Sequence, residues 1–83
     1  MEEEIRQLVK KHYKRAKLYD VDCDLDDTVT IVIDGVNPSY VARRILEMFP
    51  EKKWVKVKSS SKKIQLYSRE ALNKCKAMGW LWD

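Results

Sequence analysis

The chain has 83 residues, 45% hydrophobic and 36% charged, with two glycines and two prolines; this specifies one small packed domain under a charged surface and argues against disorder. No apolar run approaches the roughly 20 residues of a membrane span, and the charged start MEEEIRQ is unlike a secretory signal, so the expected location is cytoplasmic, with no membrane contact. The net charge of +4 hides a basic–acidic–basic order: six bases against three glutamates in residues 1–17, six aspartates and no base in 18–36, and nine bases against three acids in 51–83. That is not the pattern of a uniformly cationic nucleic-acid binder.

Residues 3–17 read as the first helix, with Ile5, Leu8, Val9, His12, Tyr13 and Ala16 on one side and the bases on the rest of the circumference. Glu2–Glu4 suit the first turn, where the helix dipole favours acids. Arg6, Lys10 and Lys14 form a like-charge row at i, i+4 and i+8, which opposes helix formation by a few tenths of a kcal/mol per pair, roughly. His12 is the only histidine; at the centre of the stripe it reads as a core or boundary residue rather than a catalyst.

Tyr19–Leu25 alternates Tyr19, Val21, Cys23 and Leu25 with Asp20, Asp22 and Asp24, a half-buried strand. The aspartate spacing imitates the start of an EF-hand calcium loop, but Leu25 stands where that loop needs glycine and Ile31 where it needs glutamate, so no metal is expected. Thr28–Ile33 is the second strand, with Val29, Ile31 and Ile33 inward. Placing Leu25 opposite Val29 implies a three-residue loop, Asp26-Asp27-Thr28.

Asn37-Pro38 starts the second helix, asparagine as N-cap and proline in the first turn. Val41, Ala42, Ile45, Leu46, Met48 and Phe49 are expected inside, with Tyr40, Arg43, Arg44 and Glu47 outside. Pro50 ends it.

Lys52–Tyr67 reads as a β-hairpin. Pairing Lys58 with Lys63 across a Ser59–Lys62 loop sets Val57 against Ile64 and Val55 against Leu66 on an apolar face. Lys56 then meets Gln65, and Trp54 meets Tyr67, on an aromatic and basic outer face. Ser68 caps a third helix that turns Ala71, Leu72, Cys75 and Met78 inward and Arg69, Asn73, Lys74 and Ala77 outward, with Gly79 as its C-cap. The apolar tail Trp80-Leu81-Trp82 is expected to dock back on the core or on the open sheet face.

The order α-β-β-α-β-β-α predicts a small single-domain two-layer α+β fold spanning residues 1–83: a mostly antiparallel four-stranded sheet with helices on one face. The second half loosely resembles winged-helix and double-stranded-RNA-binding domains, but the whole order matches neither and no signature residues carry over. Cys23 and Cys75 sit in no metal or redox spacing and read as free, buried thiols.

No Gly-rich phosphate loop, HExxH, GxSxG or paired-cysteine motif is present, so a non-enzymatic binding module without a cofactor is expected. Nucleic-acid binding, to DNA or RNA, would use Lys10, Lys14, Lys17, Trp54, Lys56, Lys58, Lys62, Lys63 and Tyr67, the lysines on phosphates and the rings on exposed bases; a sequence pI of 9.1 agrees with it. The alternative is a protein–protein interaction module, a homodimer, or an inhibitor of the kind small viral genomes encode, anchored by Trp54, Tyr67, Trp80 and Trp82. Whether Asp20, Asp22 and Asp24 neutralise the lysine hairpin depends on strand order.

Overall fold

A computed structural model of the chain describes residues 2–23 and 27–79, apart from the side chain of Lys76. The elements are α1 (Glu2–His12), β1 (Lys17–Asp22), β2 (Thr28–Asp34), α2 (Pro38–Met48), β3 (Trp54–Lys58), β4 (Ile64–Ser68) and α3 (Arg69–Ala77). The expected α+β order and the two-layer arrangement hold.

The four strands form one sheet in the order β1-β2-β3-β4. The outer pairs are antiparallel, but β2 and β3 run parallel, joined by α2. The sheet is therefore mixed, because a helix between two adjacent strands returns the chain to its starting end.

Val29, Ile31 and Ile33 of β2, Val55 and Val57 of β3, and Val21 of β1 all point to one face and are buried. Ile5, Leu8 and Val9 of α1 pack on them with Val41, Ala42, Ile45, Leu46 and Phe49 of α2 and Leu72 of α3. The period-2 and period-3.6 patterns thus meet in one core. Met48, expected inside, is 43% exposed, since it lies in the last turn of α2 beyond the apolar stripe.

Helix α1 ends at His12, five residues short of the expected end. The chain makes one more helical bond, from Tyr13 N to Val9 O, then turns, with Ala16 N donating to Tyr13 O. Stopping there keeps Lys14 from completing the like-charge row of Arg6 and Lys10. Glu2 also pairs with Arg6 at 3.0 Å. His12 is exposed at the helix end, not in the core.

Strand β1 starts at Lys17 and carries a bulge between Leu18 and Asp20. Tyr19 is the extra residue and is pushed out to 54% exposure, so Leu18 and Val21 point inward in place of Tyr19 and Val21. Val21 pairs with Ile31 rather than with Ile33, as a Leu25–Val29 pairing would require. Asp24, Leu25 and Asp26, on which the loop expectation rested, lie outside the described residues.

The cap of α2 forms as read: Asn37 Oδ1 accepts from Ser39 N at 3.0 Å, and Pro38 stands in the first turn. Before it, Gly35 turns with φ +81°, and a Cβ there would stand 3.2 Å from Arg15 O. That turn needs glycine on both counts. Ser68 Oγ accepts from Ala71 N at 3.0 Å, capping α3. Gly79 follows α3 at φ +76°. Within α3, Leu72 is buried and Cys75 half-buried, while Ala71, and Met78 just beyond the helix, are exposed, not inward as expected.

Candidate functional site

Among the described residues, the helices cover one face of the sheet and leave the other open. Which side chains occupy the open face depends on the register of β3 with β4, and that register differs from the expected one by a single residue. Lys58 pairs with Ile64, Val57 with Gln65, Lys56 with Leu66, Val55 with Tyr67 and Trp54 with Ser68. The cause is the turn. The loop is Ser60–Lys62, three residues rather than four, closed by Ser59 N to Lys63 O at 2.9 Å and Lys62 N to Ser59 O at 3.0 Å. Lys62 takes the left-handed conformation, φ 67°, that such a loop requires.

A one-residue shift exchanges the faces of a strand. Ile64 and Leu66 therefore point to the open face, at 57% and 55% exposure, beside Trp54 at 40%. Tyr67 turns to the helix side, half-buried against the core, where burial raises its phenol above the ordinary value and its hydroxyl bonds Gln65. The expected aromatic pair of Trp54 and Tyr67 does not exist.

Two anchors hold this register, one at each end of the hairpin. At the tip, Asp34 Oδ1 accepts from Ser60 N at 3.0 Å. The Ser60 hydroxyl and amide, helped by the Tyr19 hydroxyl and the charge of Lys17, hold the Asp34 carboxyl below its usual range. At the base, Arg69 N donates to Lys53 O at 2.9 Å. The Arg69 guanidinium reaches under the sheet to the carbonyls of Leu46, Phe49 and Lys52. Arg69 is thus turned inward, not outward as helical phase alone suggests.

The strand order separates the acidic and basic rows. Asp20 and Asp22 lie on β1, at the far edge. Lys56 and Lys58 on β3 stand beside Thr30 and Val32 of β2, so the aspartates guard their edge and the lysines are not paired with them across strands. Asp24 of the same row lies outside the described residues. The open face at the β3–β4 end is thus apolar and basic: Trp54, Ile64 and Leu66 interleaved with Lys56 and Lys58.

The other predicted residues scatter. Lys10 and Lys14 are exposed in and just after α1, on the helix layer. Lys17 starts β1 across from Asp34. Lys62 and Lys63 are exposed at the hairpin tip. Trp80 and Trp82 lie outside the described residues. Sequence reasoning assigned Ile64 and Leu66 to the core; only the hairpin loop length would have moved them out, and Ser-Ser-Ser-Lys gives no glycine to mark it.

A second cluster lies between α1 and α2. Arg44 Nε donates to Tyr13 Oη at 3.0 Å, and Arg43 pairs with Glu47 at 3.5 Å. Partial desolvation, then the charges of Arg44 and Lys11, lower the pKa of His12. Cys23 and Cys75 are half-buried thiols in no disulfide, and desolvation pushes the Cys23 thiol up. Among the described residues, no three His, Cys, Asp or Glu side chains group as metal ligands, and no helix is long and apolar enough to cross a membrane.

Comparison with known proteins gives no family model, no curated protein and no solved structure that matches this chain.

Proposed function

We propose that this protein is a protein-interaction module whose contact surface is the open sheet face at the β3–β4 end, and that its partner is an acidic protein. The observation that carries the reading is the pair Ile64 and Leu66, more than half exposed on a regular strand and flanked by Lys56, Lys58 and Trp54. Two branched aliphatic side chains on an open sheet are a contact surface for apolar groups. Covering both stabilises a complex by about 1 kcal/mol each, half the value for a fully exposed side chain. The lysines set the sign of the partner: residues 54–68 contain Lys56, Lys58, Lys62 and Lys63 and no acid.

A single-stranded nucleic acid is the competing anionic partner. It gains most from aromatic platforms, and among the described residues Trp54 is the only ring on this end of the face, Tyr67 lying on the other side. The lysines of α1 stand on the helix layer and do not extend the same surface. Aliphatic contact therefore favours a protein.

The test is selection from a displayed random-peptide library against the whole chain. Selected peptides are expected to be acidic and to lose binding to Leu66→Lys and Trp54→Ala. Peptides that bind both variants as well as the parent sink the reading. So does single-stranded DNA or RNA that binds with a logarithmic salt slope of several charges and displaces the peptides.

A further inference from the structure

We infer that β4 is a receptor edge: an extended acidic segment of the partner adds to it as a fifth strand, an inference that rests on the reading of the open face given above. The two edges of this sheet are built differently. β1 has a bulge at Tyr19, carries Lys17, Asp20 and Asp22, and has α1 packed on it, and these features discourage strand addition. β4 reads Ile-Gln-Leu-Tyr-Ser, with no charge, no proline and an unbroken register. Among the described residues of a highly charged chain, this uncharged edge is the exception.

The hydrogen-bond phase makes that edge usable. In an antiparallel pair, residues alternate between those that bond the neighbouring strand and those that turn their amide and carbonyl away. The bonds Ser59 N to Lys63 O and Arg69 N to Lys53 O put Gln65 and Tyr67 in the set facing β3. Ile64 and Leu66 therefore direct their backbone groups to the free edge. The same two residues supply the exposed aliphatic side chains, so an added strand meets main-chain partners and apolar contact at the same positions. This is recognition by strand addition.

The side chains choose among strands. Lys63, in phase with Gln65 and Tyr67, stands on the helix side at the tip end of the edge. An added strand that lays its apolar residues on Ile64 and Leu66 turns the alternate ones to that side, where carboxylates meet the Lys63 ammonium and a basic strand is repelled. The occupant is an extended segment with alternating acidic residues, not a helix and not a second β4 bringing its own lysine hairpin.

The probe is an end-capped peptide of about seven residues alternating valine and glutamate, a usual strand length, titrated into the isotope-labelled whole chain. Magnetic resonance shifts and amide exchange report on Ile64 and Leu66. The expected result is slower exchange of both amides, by about tenfold or more at saturation, with affinity falling about tenfold, or 1.4 kcal/mol, in each of two cases. One is a peptide N-methylated at the amides that would bond the edge. The other is Leu66→Pro, which an edge strand tolerates where its amide faces solvent. Lys63→Glu should weaken binding in a chain that keeps every backbone donor, so the idea does not depend on Leu66→Pro folding.

Binding that survives N-methylation but is lost in Leu66→Lys overturns strand addition while leaving the open face as the contact surface. A lysine peptide that binds as well as the glutamate peptide overturns the acidic partner. No protection of Ile64 and Leu66 at millimolar peptide overturns the receptor edge. Protection that rises with protein concentration alone overturns it in favour of a second copy of the chain.

Discussion

The guanidinium of Arg69, at the first position of α3, donates to the carbonyl of Phe49 at 2.8 Å. It also reaches Leu46 O and Lys52 O, so one side chain bonds a carbonyl of the last turn of α2 and two of the turn that follows it. This ties the third helix, the base of the hairpin and the second helix together. Arg69→Ala should cost about 2–3 kcal/mol, the range for hydrogen bonds to a charged group plus the carbonyls left unpaired. Arg69→Lys should recover only part, because a point-like ammonium does not match the planar fork. Urea unfolding of the three proteins checks this; equal midpoints would show that the contacts contribute nothing.

The register of the hairpin has a direct covalent test. Lys56 and Leu66 are partners outside the hydrogen-bonded set, where Cα atoms stand about 4.5 Å apart, within disulfide range. With Cys23→Ser and Cys75→Ser in place, Lys56→Cys/Leu66→Cys should oxidise readily and Lys56→Cys/Gln65→Cys should not. The opposite pattern would restore the four-residue loop. Lys62→Gly should in addition stabilise the chain by about 1 kcal/mol, since only glycine adopts its φ of 67° without penalty.

Asp34 predicts an acid response. Its folded pKa lies below the ordinary value of 3.8 because the Ser60 hydroxyl and amide favour the carboxylate. In the window from that value downward the unfolded chain holds more protons, so this contribution is complete above about pH 5 and is lost as pH falls through the folded pKa. Asp34→Asn keeps an acceptor for Ser60 N but no titrating charge. Its unfolding midpoint should fall less than that of the parent between about pH 5 and pH 2; parallel profiles would remove Asp34 from the account.

Face assignment separates apolar residues that look alike in sequence. Leu66→Thr, on the open face, should change stability by no more than about 0.5 kcal/mol. Ile31→Ala, at a fully buried position, should cost about 3 kcal/mol. A large loss at Leu66 would mean that it packs inside.

The sequence by itself determined the elements and most of the core. Alternation in Thr28–Ile33, the Asn37-Pro38 start and the helical stripe of Val41, Ala42, Ile45 and Leu46 are local signals, set by backbone periodicity and capping, and each stands as read. Local pattern failed where the deciding contact was distant. Nothing near Tyr19 announces a bulge. For β4, two contacts between residues far apart in sequence hold the face that Ile64 and Leu66 take: Asp34 holds Ser60 across 26 positions, and the Arg69 side chain holds Lys52 O across 17. A strand with period 2 has two faces of nearly equal appearance when the alternative residues are Gln65 and Tyr67. Choosing between them takes energy from outside the strand, and tertiary structure alone supplies it.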